Sequence, residues 1–363
     1  MTYYMPTRVY EDENCVALHA AELSALGTKA MLVTGRSSAK QNGSQKDVTD
    51  ALEAHGIPWV LFDEVEENPS IETVMKARDI AVTEGADFFI GIGGGSPMDA
   101  AKAISLMTKN HDKDADYLFA GDKTAQWYPV AAVPTTCGTG SEVTGVSVLT
   151  IHAKQTKGSI SYRIFPELAL LDIQYLAHTP LSILRNTAMD ALCHLVESYI
   201  NSAATDYSRM CALQGLHVWS RNRSFLLQAD PEETPAPETL ENLLRASTLA
   251  GMAIAQTATS LPHGLSYGLT YGLGVPHGHA CGQFIAGYLR EAAEADRETV
   301  LEAAGFADLE DLDSFYNTVC GTVDVPEDLL TRMVSQLAAN SAKLKSAPFP
   351  VDEDVLWRIA RGL

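Results

Sequence analysis

Positive charge is scarce in this sequence of 363 residues. Its 26 Lys and Arg residues stand against 46 Asp and Glu residues, so the formal net charge at pH 7 is −20. A surface this acidic repels nucleic-acid phosphates and anionic lipid headgroups. The charge balance therefore argues against a nucleic-acid-binding protein and against a membrane-surface protein, and we expect no nucleic acid and no membrane as partner.

Long apolar runs and paired cysteines are also missing. No apolar stretch reaches the roughly 18 to 20 residues of a membrane span. The first residues, MTYYMP, lack the basic-then-apolar layout of a signal peptide. The six cysteines include no CxxC pair, which argues against a zinc knuckle and against a disulfide framework in so long a chain. These absences predict a soluble, cytoplasmic protein whose cysteines are mostly buried thiols.

The composition that remains is that of a globular protein, with 46% hydrophobic residues and a length that suits about two domains. In the first half, short apolar segments alternate with helical patterns such as residues 70–84. The segments that we interpret as strands are 29–35, 59–62, 87–92, 128–134 and 168–172. Apolar strands separated by helices predict a parallel sheet covered on both faces.

Strand signals stop near residue 180, and helical periodicity follows. The predicted helices are 182–200, 205–226, 238–258, 284–304 and 326–345. Residues 229–238, rich in Pro and Glu, predict an exposed loop between helices. The predicted fold class is thus an α/β N-terminal domain with a parallel, Rossmann-like, dinucleotide-binding sheet over residues 1–178, followed by an all-helical domain over residues 179–363.

Two polar loops follow predicted strands. Residues 93–102 read GGGSPMDAAK, where Ser96 is placed to cap a helix, Pro97 suits its first position, and Asp99 suits a capping box. Glycines before a helix start allow a phosphate to approach free N–H groups. Residues 134–144 read PTTCGTGSEVT, whose hydroxyls could hold ribose or nicotinamide. Each loop alone could also be an ordinary Gly-rich turn.

A set of three histidines and one aspartate predicts a metal site. Asp190 and His194 are four residues apart and so share one face of a helix, while His263 and His277 both stand in the sequence Pro-His-Gly. One carboxylate and three imidazoles suit Fe²⁺ or Zn²⁺ and leave a position open for substrate. His279 is the alternative to His277, which we prefer because it repeats the setting of His263.

These blocks together resemble the iron-containing (group III) alcohol dehydrogenases. The glycine loop, the PTTCGTGSEVT loop, residues 189–199 (MDALCHLVESY) and the histidine pair occur in the family's order. The resemblance covers nearly the whole chain. It implies a nucleotide-binding α/β domain, a helical domain, a cleft between them and a homodimer or larger assembly.

The resemblance also implies roles for individual residues. The metal, Fe²⁺ with Zn²⁺ as the alternative, would be held at Asp190, His194, His263 and His277. Cofactor phosphates would rest on Gly94, Gly95, Ser96 and Asp99. The positions that match contacts to ribose and nicotinamide are Thr135, Thr136, Thr139, Thr144 and Lys157. The implied activity is hydride transfer between a nicotinamide cofactor and a small alcohol or aldehyde whose oxygen the metal polarises.

This chain departs from the family's pattern at two places. Where NAD-preferring members carry an aspartate after the first strand, it has Gly35, followed by Arg36, Ser37 and Ser38. An arginine and hydroxyls suit a 2′-phosphate, so we predict NADP(H) over NAD(H). Where many members have a further active-site histidine, four residues after His263, it has Tyr267, which we expect to face the active site.

Other functions remain as alternatives at this point. Within the fold, these are a glycerol dehydrogenase-like or dehydroquinate synthase-like zinc enzyme. Outside it, a metal hydrolase with a phosphorylated substrate, or a non-catalytic metal-binding protein, would carry the same residues. Neither the aldehyde nor the direction of the reaction follows from the sequence.

Overall fold

The computed structural model describes residues 2–228, 230 and 234–362. The chain divides into two compact units. The first contains residues 5–136 and 141–179, and the second contains the residues up to Tyr4, Cys137–Gly140 and the chain from Pro180 onward. In the part of the chain that is described, no helix combines the length and the apolarity that crossing a membrane requires.

The α/β unit contains the strands β1 (Arg8–Glu11), β2 (Ala30–Thr34), β3 (Trp59–Phe62), β4 (Phe88–Gly93), β5 (Val130–Pro134), β6 (Val148–Ile151), β7 (Thr156–Ser159) and β8 (Leu168–Leu171). Its helices are α1 (Cys15–Leu18), α2 (Ala20–Ser24), α3 (Ser38–Gln41), α4 (Ser44–Ala54), α5 (Ile71–Glu84) and α6 (Gly95–Lys109). Short 3₁₀ turns complete the unit.

Six of these strands form one parallel sheet in the order β1-β8-β5-β4-β2-β3. Strands β2, β4, β5 and β8 are buried along their whole length, as expected for a sheet with helices on both faces. This confirms the predicted fold class. Strand β1, which has no fully buried residue, and the antiparallel hairpin of β6 and β7 are not among the predicted strands.

The second unit is helical. It contains α7 (Leu181–Ile200), α8 (Asp206–Ser220), α9 (Arg223–Gln228), α10 (Pro237–Thr257), α11 (Leu261–Leu273), α12 (His277–Gly282), α13 (Ile285–Glu291), α14 (Glu294–Ala304), α15 (Leu309–Cys320), α16 (Glu327–Ala338), α17 (Ser341–Leu344) and α18 (Glu353–Arg361).

Several predicted helices have different bounds in the structure. The predicted helices 205–226, 284–304 and 326–345 are each divided into two shorter ones. The predicted loop 229–238 ends earlier than expected, because Pro237 begins α10, where a proline at the first helical position loses no hydrogen bond. Of that loop, Ala229 and residues 231–233 lie outside the described residues.

Candidate active site

Helix α7 places a carboxylate and an imidazole in an apolar interior. From Ala188 to Ile200 every residue of the helix is buried, so the two polar side chains one turn apart, Asp190 and His194, lie inside the unit. Asp190 is 2% exposed and His194 is 5% exposed. Burying such groups costs free energy unless a partner or a cation compensates them.

Helices α11 and α12 bring two more imidazoles to the same place. His263 lies in the first turn of α11, and His277 begins α12. Gly278 allows α12 to lie directly against α7, because a Cβ atom at this position would lie 1.9 Å from the carbonyl oxygen of Asn186 and 2.8 Å from the nitrogen of Asp190. This close approach brings His277 next to Asp190.

The three imidazoles among the predicted metal ligands surround one oxygen of the fourth ligand, Asp190. Asp190 Oδ1 lies 3.8 Å from Nε2 of His194, 3.5 Å from Nε2 of His263 and 3.8 Å from Nε2 of His277. Both Asp190 Oδ1 and His263 Nε2 are buried and have no hydrogen-bond partner among the described residues. Buried polar atoms of native proteins are normally satisfied, so the arrangement fits a bound divalent cation.

Two other contacts favour ligation through Nε2. His194 Nδ1 lies 3.2 Å from the carbonyl oxygen of Gly138, and His263 Nδ1 lies 2.5 Å from Oε1 of Glu197. Since both partners are acceptors, each Nδ1 carries a proton, and in the neutral ring Nε2 then has the lone pair. Such contacts to the other ring nitrogen accompany most metal-binding histidines.

The protonation states of Asp190 and His194 are compatible with metal binding. Burial raises the pKa of Asp190, but the imidazoles of His194, His277 and His263 outweigh burial and hold the pKa below its ordinary value. Burial lowers the pKa of His194, although Asp190 opposes this. An ionised carboxylate and a neutral imidazole are the forms that bind a metal. Burial lowers the pKa of His263, but Cys281, Glu197 and Asp190 outweigh burial and raise it, so this ring would release a proton when a metal binds.

The structure separates His277 from its alternative. His279 lies two residues further along α12, which is a little over half a helical turn, so its ring points away from Asp190. Its Nε2 lies 3.2 Å from the carbonyl oxygen of Gly321, and its ring lies 5.5 Å from that of Tyr316. The geometry therefore favours His277 as the ligand candidate.

Sequence reasoning missed two side chains near these ligands. Cys281 belongs to a group with Asp190, His263 and His277 in which all donor atoms lie within 4.8 Å of one another. Glu197 contacts His263. Helical spacing could have identified both, because Cys281 follows His277 by four residues and Glu197 follows His194 by three.

In the α/β unit, three of the predicted cofactor loops lie at one edge of the sheet. The loop with Gly35, Arg36, Ser37 and Ser38 follows β2, residues 94–96 follow β4, and residues 135–136 follow β5. These strands are parallel neighbours, with Thr34 opposite Ile92 and Gly93 opposite Pro134. After β2 the chain forms β3 on one side of β2 and then β4 on its other side. The order of the strands therefore reverses between β2 and β4, and nucleotides bind at such topological switch points.

Close packing explains two glycines of the loop after β4. A Cβ atom at Gly91 would lie 2.7 Å from the Cα atom of Met98, so this glycine lets α6 pack against the strand. Gly93 has φ +146°, which L side chains rarely adopt. Gly94 approaches the next loop, since its Cβ atom would lie 3.1 Å from Thr136 Oγ1.

The predicted capping pattern of this loop is wrong. Helix α6 begins at Gly95, with Gly94 as its N-cap and no capping side chain, so Ser96 and Pro97 lie inside the first turn. Ser96 Oγ accepts instead from the backbone N–H of Asn68, at 3.0 Å. Because no side chain covers the start of α6, its free N–H groups remain available to an anion.

Asp99 does not act as a capping-box residue either. Its carboxylate accepts from Ser141 Oγ at 2.5 Å and from the backbone N–H of Val148 at 2.8 Å. Lys102, fully buried one turn further along α6, lies 3.4 Å from the same carboxylate and donates to the carbonyl oxygens of Ser141 and Val146, each at 2.8 Å. The two residues thus connect α6 to the loop before β6.

The other predicted cofactor residues have different surroundings. Thr144 is buried, with Oγ1 3.5 Å from Lys102 Nζ. Lys157, on β7, donates to Oδ1 of Asn68 at 2.9 Å. Thr139 belongs to the helical unit. Asn68, which has φ +58° and contacts both Ser96 and Lys157, was not identified from the sequence.

Tyr267 lies one helical turn after His263 on α11, and its ring centroid lies 6.4 Å from that of His277, with the rings 22° from parallel. Burial raises its pKa to about 12, so the phenol stays protonated at neutral pH and is poorly suited to pass a proton.

We expect Tyr267→Phe to lower kcat by less than tenfold and Tyr267→Ala to lower it further, if the ring shapes the pocket. A hundredfold loss in the Phe variant would instead indicate a proton donor, and unchanged kinetics in both variants would exclude an active-site role.

Comparison with known proteins identifies the family. The model described as "Iron-containing alcohol dehydrogenase" matches residues 6–173, and the model of the C-terminal part of the Fe-containing alcohol dehydrogenase family matches residues 185–334. The chain is 32% identical to 1,3-propanediol dehydrogenase of Citrobacter freundii over 84% of this chain and 78% of that protein. It is 30% identical to NADPH-dependent butanol dehydrogenase of Clostridium saccharobutylicum over 76% of this chain and 70% of that protein.

A solved structure supports the same assignment. The crystal structure of an iron-containing alcohol dehydrogenase from Thermotoga maritima superposes with a TM-score of 0.92 at 34% identity, covering 99% of this chain and 98% of that one. The protein therefore belongs to the iron-containing alcohol dehydrogenase family. It is an NAD(P)-dependent alcohol dehydrogenase, and the glycerol dehydrogenase-like and dehydroquinate synthase-like alternatives are not favoured.

Proposed function

We propose that this enzyme transfers a hydride between NADP(H) and a small alcohol or aldehyde at one divalent metal ion held by Asp190, His194, His263 and His277. The observation that carries the proposal is that Nε2 atoms of three imidazoles lie within 3.8 Å of a single buried carboxylate oxygen. This donor set accepts Fe²⁺ or Zn²⁺. Membership of the family favours Fe²⁺, with Zn²⁺ as the alternative.

When bound, the metal supplies a Lewis acid for the substrate oxygen, and the nicotinamide ring supplies or accepts the hydride. The protein's own residues prepare the place for this chemistry. Asp190 would contribute a negative charge that offsets part of the cation's charge, and this carboxylate lies in the fully buried part of α7. We expect Tyr267, whose ring lies 6.4 Å from that of His277, to bound the substrate pocket and to donate one hydrogen bond.

The preference for NADP(H) rests on the loop after β2. It offers no carboxylate to accept from a ribose 2′-hydroxyl or to repel a 2′-phosphate, while Arg36, Ser37 and Ser38 are exposed. A guanidinium and hydroxyl groups are suitable partners for a phosphate. A 2′-phosphate would therefore bind at this loop.

Changing Gly35 to Asp should reverse the preference. The site has room, because a Cβ atom at Gly35 would meet only the carbonyl oxygen of Val65, at 3.5 Å. Hydrogen bonds to charged groups contribute about 1.5 to 3 kcal/mol, so we expect the ratio of kcat/KM values to move towards NADH by about tenfold to a hundredfold. Gln41→Asp, which adds the same charge at the exposed end of α3, should not change the ratio. An unmodified protein that uses NADH as efficiently as NADPH would contradict the proposal.

The proposed activity is tested by a panel of small aldehydes and alcohols with NADPH and NADH, after the metal-free protein has been reconstituted with Fe²⁺ or with Zn²⁺. We expect metal-dependent reduction of at least one aldehyde, and a fluorescence increase when NADPH binds. No metal-dependent turnover across the panel, in a protein that binds NADPH, would contradict it.

The predicted homodimer and the predicted cytoplasmic location are part of the same proposal, and light scattering in solution tests the dimer.

A further inference from the structure

Glu197 is a buried carboxylate that the proposed function does not use. It lies on α7, within the sequence block that carries Asp190 and His194, and is 0% exposed. Both of its oxygens are occupied: Oε1 lies 2.5 Å from Nδ1 of His263, and Oε2 accepts from the backbone N–H of Ser260. An isolated carboxylate at such a depth is strongly unfavourable, so these two contacts account for its presence.

The contact with Nδ1 determines how the ring of His263 faces the metal centre. An imidazole that donates Nδ1–H to a carboxylate has its lone pair on Nε2. In this ring, Nε2 lies 3.5 Å from Asp190 Oδ1 and has no hydrogen-bond partner among the described residues. The tautomer and the orientation of His263 are therefore set from the side opposite Asp190.

The second contact positions the backbone of the same histidine. Ser260 is the residue before α11, and His263 lies in the first turn of that helix. One carboxylate thus holds both the start of the helix and the ring that the helix carries. Neighbouring contacts keep this segment in place, since Lys343 Nζ donates to the carbonyl oxygen of Thr259 at 3.0 Å, and the hydroxyl groups of Ser346 and Ser260 are 2.8 Å apart.

We propose that Glu197 is a positioning residue of the metal centre. It orients the ring of His263 for ligation and, through its negative charge, makes Nε2 a stronger electron-pair donor to the metal. The inference rests on the proposed metal centre. Loss of a carboxylate behind a metal-binding histidine weakens metal affinity by about 10- to 100-fold.

The test uses Glu197→Gln, which keeps the shape of the side chain and an acceptor oxygen but removes the charge. The affinity for Zn²⁺ is measured by competition with a chelator, on the full chain and without reference to activity. We expect the dissociation constant to rise by about 10- to 100-fold. The matched control is Ser198→Ala, since Ser198 is the next residue on α7, is fully buried, and bonds to Thr257 Oγ1 at 2.9 Å. Its Zn²⁺ affinity should stay within about twofold of the unmodified protein.

A spectroscopic measurement provides a readout that general loosening of the fold would not reproduce. In the Co²⁺-substituted protein, the Nδ1–H proton of His263 should give a paramagnetically shifted signal that exchanges slowly with water. Glu197→Gln should shift this signal and leave the other imidazole N–H signals in place. If that variant does not fold, fast exchange of this proton in the unmodified protein would still overturn the inference, because it would show that no carboxylate holds the proton.

The outcomes separate this inference from the proposal on which it rests. An unmodified protein that does not bind Zn²⁺ overturns the metal centre and the role of Glu197 together. Binding by Glu197→Gln within threefold of the unmodified protein overturns the role of Glu197 alone. An equal loss in Ser198→Ala overturns it as well, because the packing of α7 would then explain the result.

Discussion

Replacing His263 with alanine should remove the bound metal and lower kcat/KM by about a thousandfold or more. The variant loses the Nε2 atom closest to Asp190 Oδ1 and leaves the buried Glu197 carboxylate without its ring partner. A metal ion's stabilisation of a developing oxygen charge is worth several kcal/mol, and each 1.4 kcal/mol corresponds to a factor of ten in rate. Elemental analysis after dialysis, and turnover with excess Fe²⁺ or Zn²⁺, are the measurements.

His279→Ala is the matched control for this experiment. His279 is also a histidine and lies two residues after the candidate ligand His277, but its ring contacts Gly321 and Tyr316 instead of Asp190. We expect this variant to keep its metal. Full metal occupancy in His263→Ala would refute the ligand assignment, and metal loss from His279→Ala would make His279 a ligand in place of its alternative, His277.

Changing Lys102 to Met should destabilise the α/β unit by about 3 kcal/mol. The variant would leave the Asp99 carboxylate without its positively charged partner and two buried carbonyl oxygens without a hydrogen-bond donor. The methionine fills the space of the aliphatic stem but cannot donate to the carbonyl oxygens of Ser141 and Val146 or balance the charge of Asp99. Urea denaturation measures the change in the free energy of unfolding, and hydrogen exchange of peptides from α6 shows whether the stability is lost at this helix.

Lys76→Met controls for the removal of a positive charge. Lys76 lies on α5 and pairs with Glu64, both side chains being more than half exposed, and such surface pairs contribute about 1 kcal/mol or less. If Lys102→Met costs no more than Lys76→Met, the ammonium group of Lys102 contributes little to stability and the network around Asp99 is only a consequence of packing.

Apolar runs identified the strands of the sheet whose burial is uniform, and also β3, which is only partly buried. The strands β2, β4, β5 and β8 are buried at every residue, so an uninterrupted apolar run marks each one. Strand β1 and the hairpin of β6 and β7 are short and only partly buried, and they depend on tertiary pairing that no local pattern reveals. The three predicted helices that are divided in the structure are each interrupted by only two residues, and so short a break hardly changes the apolar spacing.

The candidate ligands could be selected from the sequence because helical spacing and repeated context bring them together, as with Asp190 and His194. Helical spacing from His194 places Glu197 near the candidate ligands, but it does not reveal the contact with His263, which joins residues 66 positions apart. Asp99 was misread for the opposite reason. A local rule predicted a capping carboxylate, whereas Ser141, Val148 and Lys102 supply stronger partners from across the fold.

The chain cannot be cut once to release its helical half with every native contact. Residues Cys137–Gly140 belong to that half although they lie within the α/β segment of the sequence. Gly138 supplies the carbonyl oxygen to His194 and fits closely against Thr187, and Gly140 fits against Gly251. A fragment that starts at Pro180 would lack all of these contacts. Exchange of the helical half between related genes would therefore have to carry three separate pieces of sequence, the two short ones included.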